Sequence, residues 1–173
     1  MTVTLFVATS LDGYIAGPDD DLSWRFTDED YGFSDFYDSV DTLIMGRGTY
    51  EVVKSFPKWP YSDKASVVVS RSGDVTADTP GVTVFGGNLP DLLKDLADDG
   101  AEEVWLVGGA ELIRSFLREK LIDRITVSLH PVLLGRGVKL FHDGFPHTAL
   151  ELEAAVSYDS GLVQLNYHVP REE

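Results

Sequence analysis

A chain of 173 residues, 43% apolar and 11% aromatic, is one domain with some loop to spare and fills its own core without disulfides or metal staples. Acidic side chains number 29 against 14 basic ones, and the resulting formal charge of −15 repels nucleic-acid phosphate and anionic lipid alike. The absence of cysteine excludes thiolate nucleophiles, Cys-ligated zinc and iron–sulfur clusters together, and no apolar run approaches the roughly 18 residues of a membrane span.

The opening residues, Met1 to Val7, are apolar without a basic flank, which predicts a strand rather than a secretion signal and a cytoplasmic protein by default. Asp12, just before Gly13, suits either an Asx turn or a substrate contact. The acidic clusters Asp19-Asp20-Asp21 and Asp28-Glu29-Asp30 read first as solvated loops. Trp24 and Phe33 are candidates to sandwich a flat heterocycle, against the commoner use of aromatics in core packing. Between residues 40 and 110 four β-branched runs recur, Thr42 to Met45, Ser66 to Val69, Val82 to Phe85 and Val104 to Val107. Each ends in a turn, and all are apolar enough for parallel strands covered on both faces. The segment Phe56-Pro57-Lys58-Trp59-Pro60-Tyr61 reads as a rigid loop able to close over a site. Helices are expected from about Asp91, with Leu92, Leu93 and Leu96 on one side, and from near Ala110, with Leu112, Ile113, Phe116 and Leu117 at helical spacing.

After residue 121 the period becomes two: Ile125, Val127 and Leu129 alternate with polar residues, as do Ala154, Val156 and Tyr158, and Val163, Leu165, Tyr167 and Val169. Asp159-Ser160-Gly161 joins the last two runs as an antiparallel hairpin. The predicted fold is α/β: a mixed, mostly parallel central sheet with helices on both faces and an antiparallel C-terminal hairpin.

Ligands of open α/β sheets collect beyond the carboxyl ends of the parallel strands, so the turns there carry the functional reading. In Met45-Gly46-Arg47-Gly48-Thr49-Tyr50-Glu51, glycines admit a close ligand, a helix start supplies free N–H groups and Arg47 adds charge. That suits a phosphate; a glycine turn with a surface arginine is the plain alternative. Val107-Gly108-Gly109-Ala110-Glu111 offers outward N–H groups for a pyrophosphate, or merely tight strand-to-helix packing. Ser70-Arg71-Ser72 suits a phosphate monoester such as the group that separates NADPH from NADH, or is a polar loop. Phe85-Gly86-Gly87-Asn88 is a similar, uncharged turn. His130, His142, His147 and His168 have no metal-ligand spacing, so no metal is expected.

Taken together, the stretches Leu43 to Glu51 and Val104 to Leu112 resemble, in order and separation, the dihydrofolate reductase superfamily and, within it, the riboflavin-biosynthesis reductase domain and its stand-alone relatives. The likeness covers nearly the whole chain. Ser10-Leu11-Asp12-Gly13-Tyr14-Ile15-Ala16 and His130-Pro131-Val132-Leu133-Leu134-Gly135-Arg136-Gly137 resemble the riboflavin-type branch. The resemblance implies a dihydrofolate reductase-like three-layer fold and NADPH as cofactor. It assigns the cofactor to Arg47, Thr49, Gly108, Gly109, Ala110, Glu111 and Leu112, with Gly46, Gly86 and Val107 beside them, Ser70 and Arg71 on the 2′-phosphate, and Ala8 and Ile15 beside the nicotinamide.

It also places Asp30 where folate enzymes keep their pterin-binding acid, a candidate proton relay with a raised pKa, and Ser128 as that acid's hydroxyl neighbour. Ile113 and Lys64 stand where folate enzymes have a tyrosine and an arginine, which leans away from folate. Lys54, Lys58, Arg136 and Lys139 are loose candidates for a substrate phosphate, and the cysteine-dependent deaminase half of fused riboflavin enzymes is absent. The implied function is NADPH-dependent reduction of a small heterocycle by direct hydride transfer, resembling 5-amino-6-(5-phosphoribosylamino)uracil reductase. Dihydrofolate reduction and a non-catalytic NADPH-binding protein are the alternatives. The relatives imply a homodimer, with no nucleic-acid or membrane partner.

Overall fold

The computed structural model describes residues 1–171. Strand β1 (Thr2–Ser10) is followed by a short β2 (Tyr14–Ala16), helix α1 (Phe33–Ser39), β3 (Thr42–Gly46) and α2 (Arg47–Lys54). Next come β4 (Ala65–Val69), β5 (Val82–Phe85), α3 (Leu89–Asp98), β6 (Glu103–Gly108) and α4 (Ala110–Arg118). The chain closes with β7 (Arg124–His130), β8 (Val138–Lys139), β9 (Glu151–Ser157) and β10 (Val163–His168). Eight strands form one sheet in the order β5-β4-β3-β6-β1-β7-β10-β9, parallel from β5 to β7 and antiparallel at β10 and β9. The expected mixed sheet and C-terminal hairpin are therefore present.

Side-chain alternation splits the central strands between two cores. Ile44, Val67 and Leu106 join Leu92, Leu93, Ile113 and Phe116 of α3 and α4 on one face. Leu43, Val68 and Trp105 join Tyr50 of α2 and the α1 aromatics Phe33, Phe36 and Tyr37 on the other. Asn88 starts α3 by accepting the Asp91 N–H at 2.9 Å, which sets that helix two residues before the Asp91 start that the leucine spacing predicts.

The structure adds elements that the patterns did not announce. Helix α1 follows Tyr31 and Gly32, both in the left-handed region, at φ 53° and 78°. Strands β2 and β8 pair with each other as a separate two-stranded sheet. The loop from Phe56 to Tyr61 does not close over the strand ends. Trp59 packs edge-on against Tyr50, and Tyr61 against Trp105, so the loop is anchored to the α1–α2 face while Phe56 stays exposed. The alternation in β9 does not mark a buried face either, since all seven of its residues are exposed at the open edge of the sheet.

Candidate active site

The connection β3–α2–β4 runs toward one edge of the sheet with its helix on the α1 face, whereas β6–α4–β7 runs toward the other with its helix on the opposite face. Between β3 and β6 the chain directions part, and a crevice opens at the carboxyl ends of the strands. It holds a cavity of about 690 Å³. Gly46 and Gly109 precede the helices on its two walls, and a Cβ on Gly46 would lie only 3.7 Å from the Gly109 nitrogen. Neither α2 nor α4 has a side-chain cap, so the first N–H groups of both helices are left for whatever enters the groove.

Gly46, Arg47, Thr49, Ser70, Arg71, Gly109, Ala110, Glu111 and Leu112 all line this cavity. Gly86 and Gly108 lie one residue behind its lining and Val107 two, and the Gly108–Gly109 peptide is cis. Ala8, in β1 opposite Ser128, and Ile15, in β2, lie outside it. Ser72 of the Ser70-Arg71-Ser72 turn lines it too, and the structure adds Val138 and His142, which singly carried no signal in the sequence. Ser70 and Ser72 approach with their hydroxyls 3.3 Å apart beside Arg71. Glu111, in the first turn of α4, is bound by His142 Nδ1 at 2.9 Å and by Arg114. The hydrogen bond from His142 and the nearby Arg114 and Arg71 charges hold its carboxyl below the usual range. Arg47 and Arg71 make no ion pair among the described residues, which leaves two guanidinium groups at the groove of a strongly acidic chain.

The candidate substrate residues sit differently from expectation. Asp30 is exposed and turned to α1, accepting from Ser34 N–H at 3.1 Å and Ser34 Oγ at 2.6 Å. Those bonds lower its pKa rather than raise it. Its hydroxyl neighbour is thus Ser34, not Ser128. Ser128 is buried and accepts from Gln164 Nε2 at 3.1 Å, and the same Gln164 amide donates to the Tyr31 carbonyl at 2.9 Å. Gln164 lies in β10 opposite Ser128 of β7, and no pattern in the sequence singles it out.

Asp12 accepts from Ser10 Oγ and from the N–H groups of Leu134 and Gly135, so its carboxylate is occupied by the protein rather than turned to a substrate. Trp24 sits edge-on to His130 at 5.2 Å, and Phe33 packs against Phe6 and Trp105, so each ring is held by its own partners. His130 is buried, and loss of solvent pushes its pKa down, keeping the ring neutral. Among the described residues no cluster of His and carboxylates is placed to hold a metal ion. No helix among them is long and apolar enough to cross a membrane.

Against known proteins, the RibD C-terminal domain family matches residues 1–164. The uncharacterized protein YwjB of Bacillus subtilis is 40% identical over 167 residues, covering 94% of this chain and 95% of that protein. The riboflavin biosynthesis protein RibD of Corynebacterium ammoniagenes is 29% identical over 155 residues, 80% of this chain but 45% of that longer protein. A solved Shewanella sp. PV-4 structure named for riboflavin biosynthesis superposes with a TM-score of 0.91 at 35% identity, over 99% of this chain and 100% of that one. The deaminase/5-amino-6-(5-phosphoribosylamino)uracil reductase of Thermotoga maritima shares the fold, with a TM-score of 0.80 at 15% identity, over 98% of this chain and 56% of that one.

Proposed function

The chain belongs to the RibD C-terminal domain family, with its dihydrofolate reductase-like α/β fold, and from that premise we propose that it is an NADPH-dependent reductase of a small, flat nitrogen heterocycle, working in the cytoplasm. The observation that carries this reading is the convergence on one groove of two uncapped helix starts, two arginines without an ion pair among the described residues and the Ser70–Ser72 hydroxyl pair. These residues fit a dinucleotide with a phosphate monoester. The helix starts at Ala110 and Arg47 suit its pyrophosphate, and Arg71 with Ser70 suits the 2′-phosphate. Glycine at 46 and 109 keeps that approach open, since a side chain on Gly109 would already press on Thr49 Oγ1 at 3.3 Å.

Bound there, NADPH would supply the hydride; the protein's share is binding, orientation and exclusion of water. Asp30 remains ionised at neutral pH, so we assign the accompanying proton to water rather than to this side chain. The same arrangement weakens the folate alternative, because the expected acid is turned away to Ser34. By family likeness, the substrate class is that of riboflavin-pathway aminouracils carrying a ribosyl phosphate.

Titration with NADPH and NADH, followed by nicotinamide fluorescence, tests the cofactor, and NADPH is expected to bind more tightly. Oxidation of NADPH by 5-amino-6-(5-phosphoribosylamino)uracil tests the substrate. Binding without oxidation by any pyrimidine or pteridine would favour a non-catalytic NADPH-binding protein. Binding of neither nucleotide would remove the reductase reading.

For a partner we infer a second copy of the chain, paired through β9. An antiparallel pairing centred on Ala154 sets Leu152, 58% exposed, opposite Val156, 41% exposed, in both copies. Glu151 then faces Ser157 and Glu153 faces Ala155, so no glutamates oppose one another. Light scattering is expected to give twice the 19.1 kDa of one chain, falling to a monomer in Leu152→Arg.

A further inference from the structure

The turn after β1 and the strap after β7 are more than 120 residues apart in sequence yet are joined along their lengths. Leu11 N–H donates to the Val132 carbonyl at 2.9 Å, and Leu140 N–H to the Gly13 carbonyl at 2.8 Å. Continuing from the second tie, β2 pairs with β8, Tyr14 opposite Lys139 and Ala16 opposite Val138. Gly137 lies so close to β2 that a Cβ there would fall 2.1 Å from the Ala16 carbonyl oxygen. At the centre is one side chain, Asp12. Its Oδ1 accepts Leu134 N–H at 3.1 Å and its Oδ2 accepts Gly135 N–H at 2.8 Å, while Ser10 Oγ, fully buried, donates to Oδ1 at 2.6 Å. Ser10 Oγ also accepts Tyr14 N–H at 2.9 Å, so the same buried hydroxyl ties the start of β2 to the joint.

The strap then runs directly to the groove. Val138 and His142 line the cavity, Leu140 between them is 2% exposed, and His142 is bonded to Glu111 at the start of α4. One continuous unit therefore joins the Ile15 turn to the α4 wall.

Resting on the reductase reading, we propose that Asp12 is a positioning residue that welds the Ile15 turn to the 132–140 strap, fixing the groove wall that meets the nicotinamide half of the cofactor. The Arg47, Ser70 and Arg71 side of the groove is built by α2 and the turn after β4, which share no hydrogen bond with Asp12 among the described residues. A preformed wall lowers the ordering cost of binding. The carboxylate suits this task because an ionised acceptor binds backbone N–H groups about twice as strongly as a neutral one. Its pKa is held low by Ser10 first and by the Gly135 and Leu134 N–H groups, so it keeps that charge at neutral pH.

The test compares Asp12→Ala and Asp12→Asn with the wild type in three measurements. These are amide exchange at Leu134 and Gly135, affinity for 2′,5′-ADP, and affinity for NADPH with its nicotinamide fluorescence. In Asp12→Ala the two amides are expected to exchange faster and NADPH to bind about tenfold more weakly, the equivalent of one backbone hydrogen bond, with unchanged affinity for 2′,5′-ADP. Asp12→Asn retains one acceptor and is expected to fall between the two; it carries the test if Asp12→Ala fails to fold. Equal loss of both ligands, or faster exchange with NADPH affinity intact, would reduce Asp12 to a stability role and overturn the proposal. A wild-type protein that binds neither ligand would overturn the reductase reading beneath it, an outcome separable from failure of Asp12 alone.

Discussion

The groove beyond β3 and β6 and the region around the start of α1 are built by different means. The groove is walled by turns whose residues are neighbours in the chain, Gly46 to Thr49, Ser70 to Ser72 and Gly109 to Leu112, and it leaves backbone N–H groups uncapped and its arginines without ion pairs among the described residues. The α1 region is closed by side chains from distant strands, with Gln164 spanning 133 residues to reach the Tyr31 carbonyl, and its polar groups are mutually satisfied. An open, unpaired region suits a charged ligand, and a satisfied one holds shape. The contrast separates where binding energy is available from where stability resides.

The groove arginines give the largest expected effect. Arg47→Ala and Arg71→Ala are each expected to weaken NADPH binding about tenfold to a hundredfold, since a hydrogen bond to a charged group is worth about 1.5–3 kcal/mol. Arg71→Ala should also erase the preference over NADH, while urea midpoints stay near wild type, because neither arginine makes an ion pair among the described residues. Unchanged titrations in both variants would break the comparison at its open side.

The converse change is Gln164→Leu, which leaves the Tyr31 carbonyl and Ser128 Oγ buried with lost partners. A cost of about 1–3 kcal/mol in unfolding free energy is expected, read from urea denaturation, with NADPH affinity unaffected. Full stability in this variant would show that water replaces the amide and that the α1 region is less closed than its bonds imply.

This division also explains what was legible in the sequence. The parallel centre of the sheet and the groove turns were readable because their signals are local: β-branched runs, glycines at strand ends, and arginine or serine one residue on. Ala8 and Ile15, assigned to the cofactor by likeness to a bound ring rather than by a local pattern, lie outside the cavity. The Asp30–Ser128 pairing failed because it depended on where α1 begins, and the left-handed pair Tyr31-Gly32 turns Asp30 toward Ser34. Likewise the β2–β8 sheet is short, and its partner residues are far apart in the chain, so no period announces it. The Asp12-Gly13 pair suits an Asx turn or a substrate contact, yet its carboxylate binds the Leu134 and Gly135 N–H groups; a sequence cannot distinguish a carboxylate facing a ligand from one facing a distant loop.

A smaller effect concerns pH. Burial lowers the pKa of His130 below the ordinary 6.5. The unfolded chain therefore takes up a proton at this site before the folded one does, and the stability it contributes above the unfolded pKa is lost as pH falls through the folded value. His130→Phe keeps the ring contacts with Trp24 and Phe26 but removes the titration. Its stability is expected to fall less steeply than wild type as pH drops from the ordinary 6.5 toward the lowered folded value. Superimposable profiles would assign the acid sensitivity to the carboxylates instead.

The smallest expected effect belongs to Asp30. Because Ser34 holds this exposed carboxyl below its ordinary 3.8, it is ionised throughout the neutral range and has no proton to give. Asp30→Asn is therefore expected to change turnover by less than about twofold and to leave the pH–rate profile unmoved between about pH 5 and pH 8. The sign for stability follows the same shift: the Ser34 bonds favour the folded, ionised form above the unfolded pKa, and that contribution disappears as pH falls through the lowered folded value. Wild type and variant should thus differ most near neutrality and converge in acid. A large loss of turnover with NADPH affinity intact would mean that substrate draws Asp30 away from Ser34 and that the α1 region, satisfied as it stands, opens during the reaction.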